Sequence, residues 1–420
     1  MKNNPLFDIY TPNGLTDVPG FKCAATACDI RFQNDHRLDL AVIYSELPCN
    51  VAAVFTQSKI VAAPVTLSKA RLQQKEFVRA IVVNSGNANA CNGDQGWKDA
   101  LKMLEISHQE LNLNEKESVL VCSTGRIGRP LPMEKIKKGL ISTCKQLENT
   151  QEAGREAAVA ILTSDTKEKM VSIRFDYQDQ TIFLSGIAKG AGMIQPNMAT
   201  MLAFIATNVR IENSLLQDLL EKSVKKSFNA ISVDGDTSTN DSVIALSNGH
   251  SNVMVSIKDP LLLERFGSAL DYITAELADE IISDGEQISK VISITVEGTY
   301  SNKDAEKVAR SIGNSLLVKT SWYGNDPNWG RILAAVGYAG VEIKESKIDL
   351  FYDSFKGLGT KKAVPVMQSG KVIPKNQDAW SRIVKEPRFG ILLKLNTGLG
   401  KFQLLANDLT EGYVNFNKSE

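Results

Sequence analysis

Short apolar runs alternate along the chain with longer stretches in which apolar residues return every third or fourth position. The runs LDLAVIYSE (38–46), VAAVFTQ (51–57), RAIVVNSG (79–86), SVLVCSTG (118–125), TIFLSGIA (181–188) and TMLAFIATNV (200–209) are rich in β-branched and aromatic residues and predict strands. The stretches 97–111, 132–147, 214–228 and 259–285 carry the helical period and predict amphipathic helices. SLLVKTS (315–321) reads as a further strand. This mixture implies an α/β or α+β sandwich rather than a bundle or an all-β protein. No repeat period, low-complexity tract or clear linker marks a boundary.

Five polar, glycine-bearing turns follow strand-like runs: 82–93, 121–133, 189–200, 229–241 and 322–331. One such turn is an ordinary connection. Five of them predict a composite site on a rigid scaffold.

Composition narrows the chemistry. Hydrophobic residues make up 43% and charged residues 23% of the 420, and Lys+Arg and Asp+Glu both number 48, so no global field draws the chain to nucleic acid or an anionic membrane. No signal peptide or membrane span is read, and a cytoplasmic protein is the expectation. Six cysteines lie within the first 144 residues without a CxxC pair, so reduced thiols rather than a metal site are expected. The three histidines, His36, His108 and His250, all fall in polar surroundings. A covalent catalyst built on this chain therefore activates its nucleophile without histidine.

The segment KGAGMIQPNMATMLAFIAT (189–207) offers a route. Its glycines and Pro196 suit a sharp approach to Thr200, which stands at the mouth of an apolar strand. The Thr200 hydroxyl could attack the Ala199 carbonyl, turn the peptide into an ester and hydrolyse it. The freed α-amine, with a pKa of about 7.7–8.0, then serves as general base. By pattern alone Thr200 reads as a β-branched strand residue rather than a nucleophile. A phosphate loop is the weaker reading, because neither G-x-x-x-x-G-K-[ST] nor G-x-G-x-x-G is matched. Likewise the turn Ser123–Gly128 offers oxyanion donors, yet read alone it is a tight turn before a helix.

Taken together, KGAGMIQPNMATMLAFIAT, NSGNANACNG, STGRIGRPLPM, VDGDTSTNDS and NDPNWGRILAAVGYAG, in this order, resemble the glutamate N-acetyltransferase/ornithine acetyltransferase family of arginine biosynthesis. The resemblance runs from about residue 20 to residue 417. It implies an αββα sandwich of stacked sheets flanked by helices, like that of N-terminal nucleophile enzymes, with a second, smaller lobe. It implies self-cleavage between Ala199 and Thr200 into an α fragment (1–199) and a β fragment (200–420) that fold together as one catalytic unit. Thr200 is then the nucleophile, and Thr124 and Gly125 form the oxyanion hole. Thr163, Lys189, Thr200, Glu286 and Asn417 match substrate-binding positions. One cation and one anion suit a substrate with one carboxylate and one distal ammonium.

The implied reaction is ping-pong transfer of acetyl from N2-acetylornithine to glutamate through acetyl-Thr200. No metal or cofactor is implied, acetyl-CoA is an open co-substrate, and the implied assembly has two α and two β fragments. An alternative keeps the self-cleaving fold but lets water accept the acyl group, as in aminopeptidases and amidohydrolases. The chain departs from the family pattern at Arg126 and at Leu405-Ala406-Asn407, before the DLT motif (408–410).

Overall fold

The computed structural model describes residues 6–34, 36–74, 77–195, 201–354 and 363–418. It divides into two compact units, Met1–Asn229 with Asp236–Ile281, and Ala230–Gly235 with Ile282–Glu420.

In the first unit a nine-stranded sheet runs in the order β1 (Asp8–Tyr10), β6 (Lys169–Tyr177), β7 (Gln180–Lys189), β8 (Leu202–Thr207), β11 (Ser242–Ser247), β3 (Leu40–Phe55), β4 (Phe77–Asn84) and β5 (Glu117–Ser123). β2 (Phe21–Thr26) also pairs with β3, and β9 (Arg210–Ile211) and β12 (Met254–Val255) make a separate two-stranded pair. The two strands expected at 38–46 and 51–57 are one long strand, β3. Its first half pairs with β2 and β4 and its second half with β11. Between them the register to β4 shifts, and Glu46, Leu47 and Pro48 are exposed. Proline there removes a ladder donor, so the bend falls where pairing is already broken.

The bend lets the sheet pack against itself. Ala41, Ile43, Ile81, Val83 and Leu120 share one buried cluster with Ile187, Leu202, Phe204 and Ile244 from the other half. The alternate residues Leu40, Val42, Ala80, Val82 and Val121 face the opposite way, because side chains alternate along a strand. There they meet Leu67 of α1 (Ala63–Gln74), Met103 of α2 (Gly93–Glu110) and Ile136 and Leu140 of α3 (Met133–Lys145). α4 (Gln151–Ala160) adds Ala153 and Ala157 to the inner cluster. On the far side of the other half, α5 (Asn213–Lys226) takes the Ala53 N–H through Gln217 Oε1 at 2.9 Å. α6 (Pro260–Ser283) packs so closely on β7 that a Cβ at Gly186 would lie 2.8 Å from Ile273 and Leu277. The layers are helix, sheet, sheet, helix, the expected αββα sandwich.

The second, smaller unit holds a seven-stranded sheet in the order β10 (Ile231–Ser232), β18 (Gly400–Asn407), β13 (Val291–Thr299), β17 (Arg388–Lys394), β14 (Asp349–Ser354), β15 (Val364–Gln368) and β16 (Lys371–Val372). α7 (Asn302–Gly313), α8 (Leu316–Tyr323), α9 (Trp329–Gly337) and α10 (Gln377–Val384) contribute Val308, Trp322, Val336 and Val384 to its core, and α11 (Glu411–Asn417) ends the described chain. The strand expected at 315–321 is helix α8 instead. Ser315 caps it, its hydroxyl accepting the Val318 N–H at 3.4 Å, and Val318 and Trp322, four apart, bury one face. In so short a run a single capped helical turn overrides strand propensity.

Candidate active site

Three of the polar turns meet at the ends of β4, β5 and β11. Asn84, the last residue of β4, accepts the Ser123 hydroxyl at 2.5 Å and, through its carbonyl, the Thr124 N–H at 3.0 Å. The turns after β4 and β5 then exchange backbone bonds, from Ala88 N–H to the Arg126 carbonyl at 2.9 Å and from Gly128 N–H to the Ala90 carbonyl at 3.0 Å. Asn240, just before β11, donates to the Ala88 carbonyl at 2.6 Å and the Ser123 carbonyl at 2.8 Å.

Gly125 sits where nothing larger fits. Its φ is +130°, and a Cβ there would lie 2.3 Å from Gly86 C and 2.5 Å from Asn87 N. Its own N–H meets no acceptor among the described residues, so it is available to a ligand. Thr124, beside it, is 2% exposed.

Lys189 ends β7 and is paired across the sheet with Leu202 at the start of β8. Alone it reads as a solvated loop lysine; in the structure its side chain is 2% exposed. Its ammonium donates to Thr163 Oγ1 at 2.7 Å and to Thr124 Oγ1 at 3.3 Å. It also lies 3.8 Å from the Asp165 carboxylate, which Lys169 contacts at 2.7 Å. Asp165 ties the pieces together, accepting the Gly190 N–H at 2.6 Å and the Thr163 N–H at 3.0 Å. Burial by itself would raise the Asp165 carboxyl, but the Lys189 and Lys169 ammoniums hold it well below the usual carboxylate range. One buried carboxylate thus stands between two buried ammoniums.

The structure therefore brings Thr124, Gly125, Thr163 and Lys189 together. Ala199 and Thr200 lie outside the described residues. Sequence reasoning missed Asp165, Lys169, Asn240 and Asp241. The signal for Asp165 was present in TSDTKEK, where an acid and a lysine four residues on flank a strand start.

Glu286 and Asn417, in the second unit, are also neighbours: Asn417 Nδ2 donates to Glu286 Oε2 at 3.1 Å. Glu286, which read alone is a surface residue just beyond a helix end, is only 8% exposed. The DLT motif holds its turn. Asp408 accepts the Ser289 and Lys290 N–H groups at 3.0 Å each and also binds the Ser289 hydroxyl. Thr410 donates to the Gln287 carbonyl at 2.6 Å and caps α11 by accepting the Tyr413 N–H at 3.0 Å.

The cysteines offer no rival nucleophile in this core. Burial pushes the thiols of Cys23, Cys28, Cys49, Cys122 and Cys144 up to about 12. Among the described residues no group of His, Cys, Asp and Glu is arranged to hold a metal ion, and no helix is long and apolar enough to cross a membrane.

Comparison of the sequence with known proteins points to one family. The model of the ArgJ family matches residues 22–419. The arginine biosynthesis bifunctional protein ArgJ of Caldanaerobacter subterraneus subsp. tengcongensis is 41% identical over 408 residues, covering 97% of this chain and 98% of that protein. ArgJ 1 of Clostridium acetobutylicum is 41% identical over 413 residues, covering 98% of each. The mitochondrial ArgJ of Dictyostelium discoideum is 39% identical over 420 aligned positions, covering 96% of this chain and 93% of that protein.

Proposed function

The chain belongs to the ArgJ family of arginine-biosynthesis acyltransferases, and from that premise we propose that it moves acetyl from N2-acetylornithine to glutamate through an acetyl-Thr200 intermediate. The observation that carries this reading is the buried Lys189 ammonium, which donates to the Thr163 and Thr124 hydroxyls beside the unclaimed Gly125 N–H. A buried cation set among hydroxyls suits an anionic substrate group, and an amide donor without a protein acceptor suits a developing oxyanion.

In the proposed sequence the Thr200 hydroxyl first attacks the Ala199 carbonyl. Water hydrolyses the resulting ester, leaving a carboxylate at Ala199 and a free α-amine at Thr200. The residues 1–199 and 200–420 remain one catalytic unit. That amine next takes the hydroxyl proton as Thr200 Oγ attacks the acetyl carbonyl of N-acetylornithine. Thr124 and the Gly125 N–H hold the oxyanion. The C–N bond breaks, and the amine returns its proton to the leaving ornithine nitrogen. Glutamate's amine then attacks the ester carbonyl, the C–O bond breaks, and Thr200 Oγ regains a proton. Thr163, Lys189, Glu286 and Asn417 are the proposed substrate contacts.

The proposal includes acetyl-CoA as a second acetyl donor. The proposal also includes two α and two β fragments per assembly and a reducing, cytoplasmic setting, the latter supported by six free cysteines.

The test is intact mass before and after incubation with N-acetylornithine. Two fragments, with an acetyl adduct on residues 200–420, are expected. A persistent full-length mass overturns the reading, and ornithine release that ignores glutamate would assign the acyl group to water instead.

A further inference from the structure

Asp241 closes the VDGDTSTND turn one residue before β11, and it is fully buried. Its Oδ1 accepts the Met201 N–H at 2.9 Å. Its Oδ2 is buried with no hydrogen-bond partner among the described residues, and no cation there forms an ion pair with it. The backbone around it is firmly placed. The Thr56 N–H reaches the Asp241 carbonyl at 3.0 Å, and the Ser242 N–H reaches the Met201 carbonyl at 3.2 Å. β8 and β11 run parallel in register from Leu202 and Ser242 onward. Asn240, its predecessor, is the residue bonded to the end of the oxyanion strand at Ser123.

A carboxyl is an unfavourable choice for a position that uses a single acceptor. An amide would accept the same N–H without the cost of a buried acid. The group it holds is what distinguishes this position: the Met201 N–H belongs to the peptide bond that follows Thr200. Asp241 therefore acts on the backbone directly after the proposed nucleophile.

We propose that Asp241 is a positioning residue for the nucleophile: its carboxyl holds the amide that follows residue 200 and so sets where the hydroxyl and α-amine of Thr200 stand. The proposal rests on the reading of Thr200 given above.

The electrostatics agree with the geometry. Burial drives the Asp241 carboxyl well above the usual carboxylate range; the Met201 N–H and the more distant Lys189 ammonium only moderate this. Its hydrogen-bond partners, Met201 just before β8 and Thr56 just after β3, are not titratable. That upward direction favours the uncharged acid over the carboxylate. An ionised carboxylate in so dry a place would hold a nearby amine as ammonium and silence it as a base. A neutral one anchors the backbone and leaves the amine basic.

The experiment uses the full chain in four forms: parent, Asp241→Asn, Asp241→Ala and Thr200→Ala. The rate of self-cleavage, kcat, KM and the pH profile of kcat are measured for each. Asp241→Ala is expected to slow cleavage and lower kcat by about 10–100-fold, the scale of a misplaced reacting group, with KM for N-acetylornithine nearly unchanged. Asp241→Asn, which keeps the acceptor and carries no charge, should restore both rates to within about threefold, with the same acid limb. An alanine variant that cleaves and turns over like the parent overturns the proposal. So does an asparagine variant as impaired as alanine, since an ionisable acid would then be required. Should alanine fail to fold, the asparagine variant decides alone by the same criterion. Thr200→Ala separates the two levels: if it still cleaves, the nucleophile reading itself has failed, whatever Asp241 does.

Discussion

Lys189 Nζ lies 2.7 Å from Thr163 Oγ1, across 26 positions of sequence, and the same ammonium reaches Thr124 Oγ1 at 3.3 Å. One buried cation thereby joins the end of β7, the loop after α4 and the oxyanion turn. Lys189→Met removes that charge while keeping most of the side chain's volume. We expect kcat/KM for N-acetylornithine to fall at least about 10–100-fold, the usual worth of a hydrogen bond from a charged donor. Steady-state kinetics check this, and a variant within threefold of the parent would remove Lys189 from the substrate contacts.

Gly125→Ala tests the turn itself. The new Cβ would meet backbone atoms of Gly86 and Asn87 at 2.3 and 2.5 Å, and φ is +130°. Neither backbone segment is a flexible side-chain end, so one of the two turns must move. A loss of about 2–4 kcal/mol in stability is expected, together with nearly complete loss of acetyl transfer. Urea denaturation and a transfer assay read the two effects separately.

Legibility from sequence followed the length and regularity of each signal. The strands around Val82, Val121 and Phe204 were plain from their unbroken apolar, β-branched content, and the helix over 259–285 from a period long enough to exclude alternatives. α8 was not, since SLLVKTS spans barely two helical turns and its β-branched residues mimic a strand. The break in β3 at Glu46–Pro48 looked like the gap between two strands, when it is the bend that folds the sheet over. In the site, Lys189 and Thr124 were legible because glycine-rich motifs surround them. Asp165 was only half legible: Lys169 stands four residues on, but the second lysine, Lys189, is brought to it only by β7. Ala199 and Thr200 were the sharpest sequence inference and lie outside the described residues.

Asp165→Asn should reveal the charge balance of that cluster. Lys189 and Lys169 depress the Asp165 carboxyl against the opposing effect of burial. A depressed acid stabilises the fold above its unfolded pKa, and that contribution fades as pH falls below about 4 toward the folded value. At pH 7 the variant leaves two buried ammoniums without this anion, and a loss of about 3–5 kcal/mol is expected. The parent–variant difference should shrink as the pH is lowered from 5 to 3. Denaturant midpoints at those pH values check it, and a pH-independent difference would mean that Asp165 acts through packing alone.

Lys319 carries the opposite sign in the second unit. It is fully buried, donates to the Asn407 carbonyl at 2.5 Å, and its ammonium is pushed down to about 8 by desolvation, against the pull of Asp234 and Asp408. Between pH 8 and its ordinary 10.5 the unfolded chain binds the proton that the folded chain has released. Stability from this group therefore rises with pH across that window, by up to about 3 kcal/mol, and is constant below it. In Lys319→Met the rise should be absent. Other groups titrate in the same range, so the measured quantity is the difference between parent and variant in urea at pH 7.5, 9 and 10. That difference should move in the parent's favour by at least about 1 kcal/mol from the first to the last. A constant difference would show that the lysine stays charged in the fold throughout, with Asp234 and Asp408 outweighing its burial.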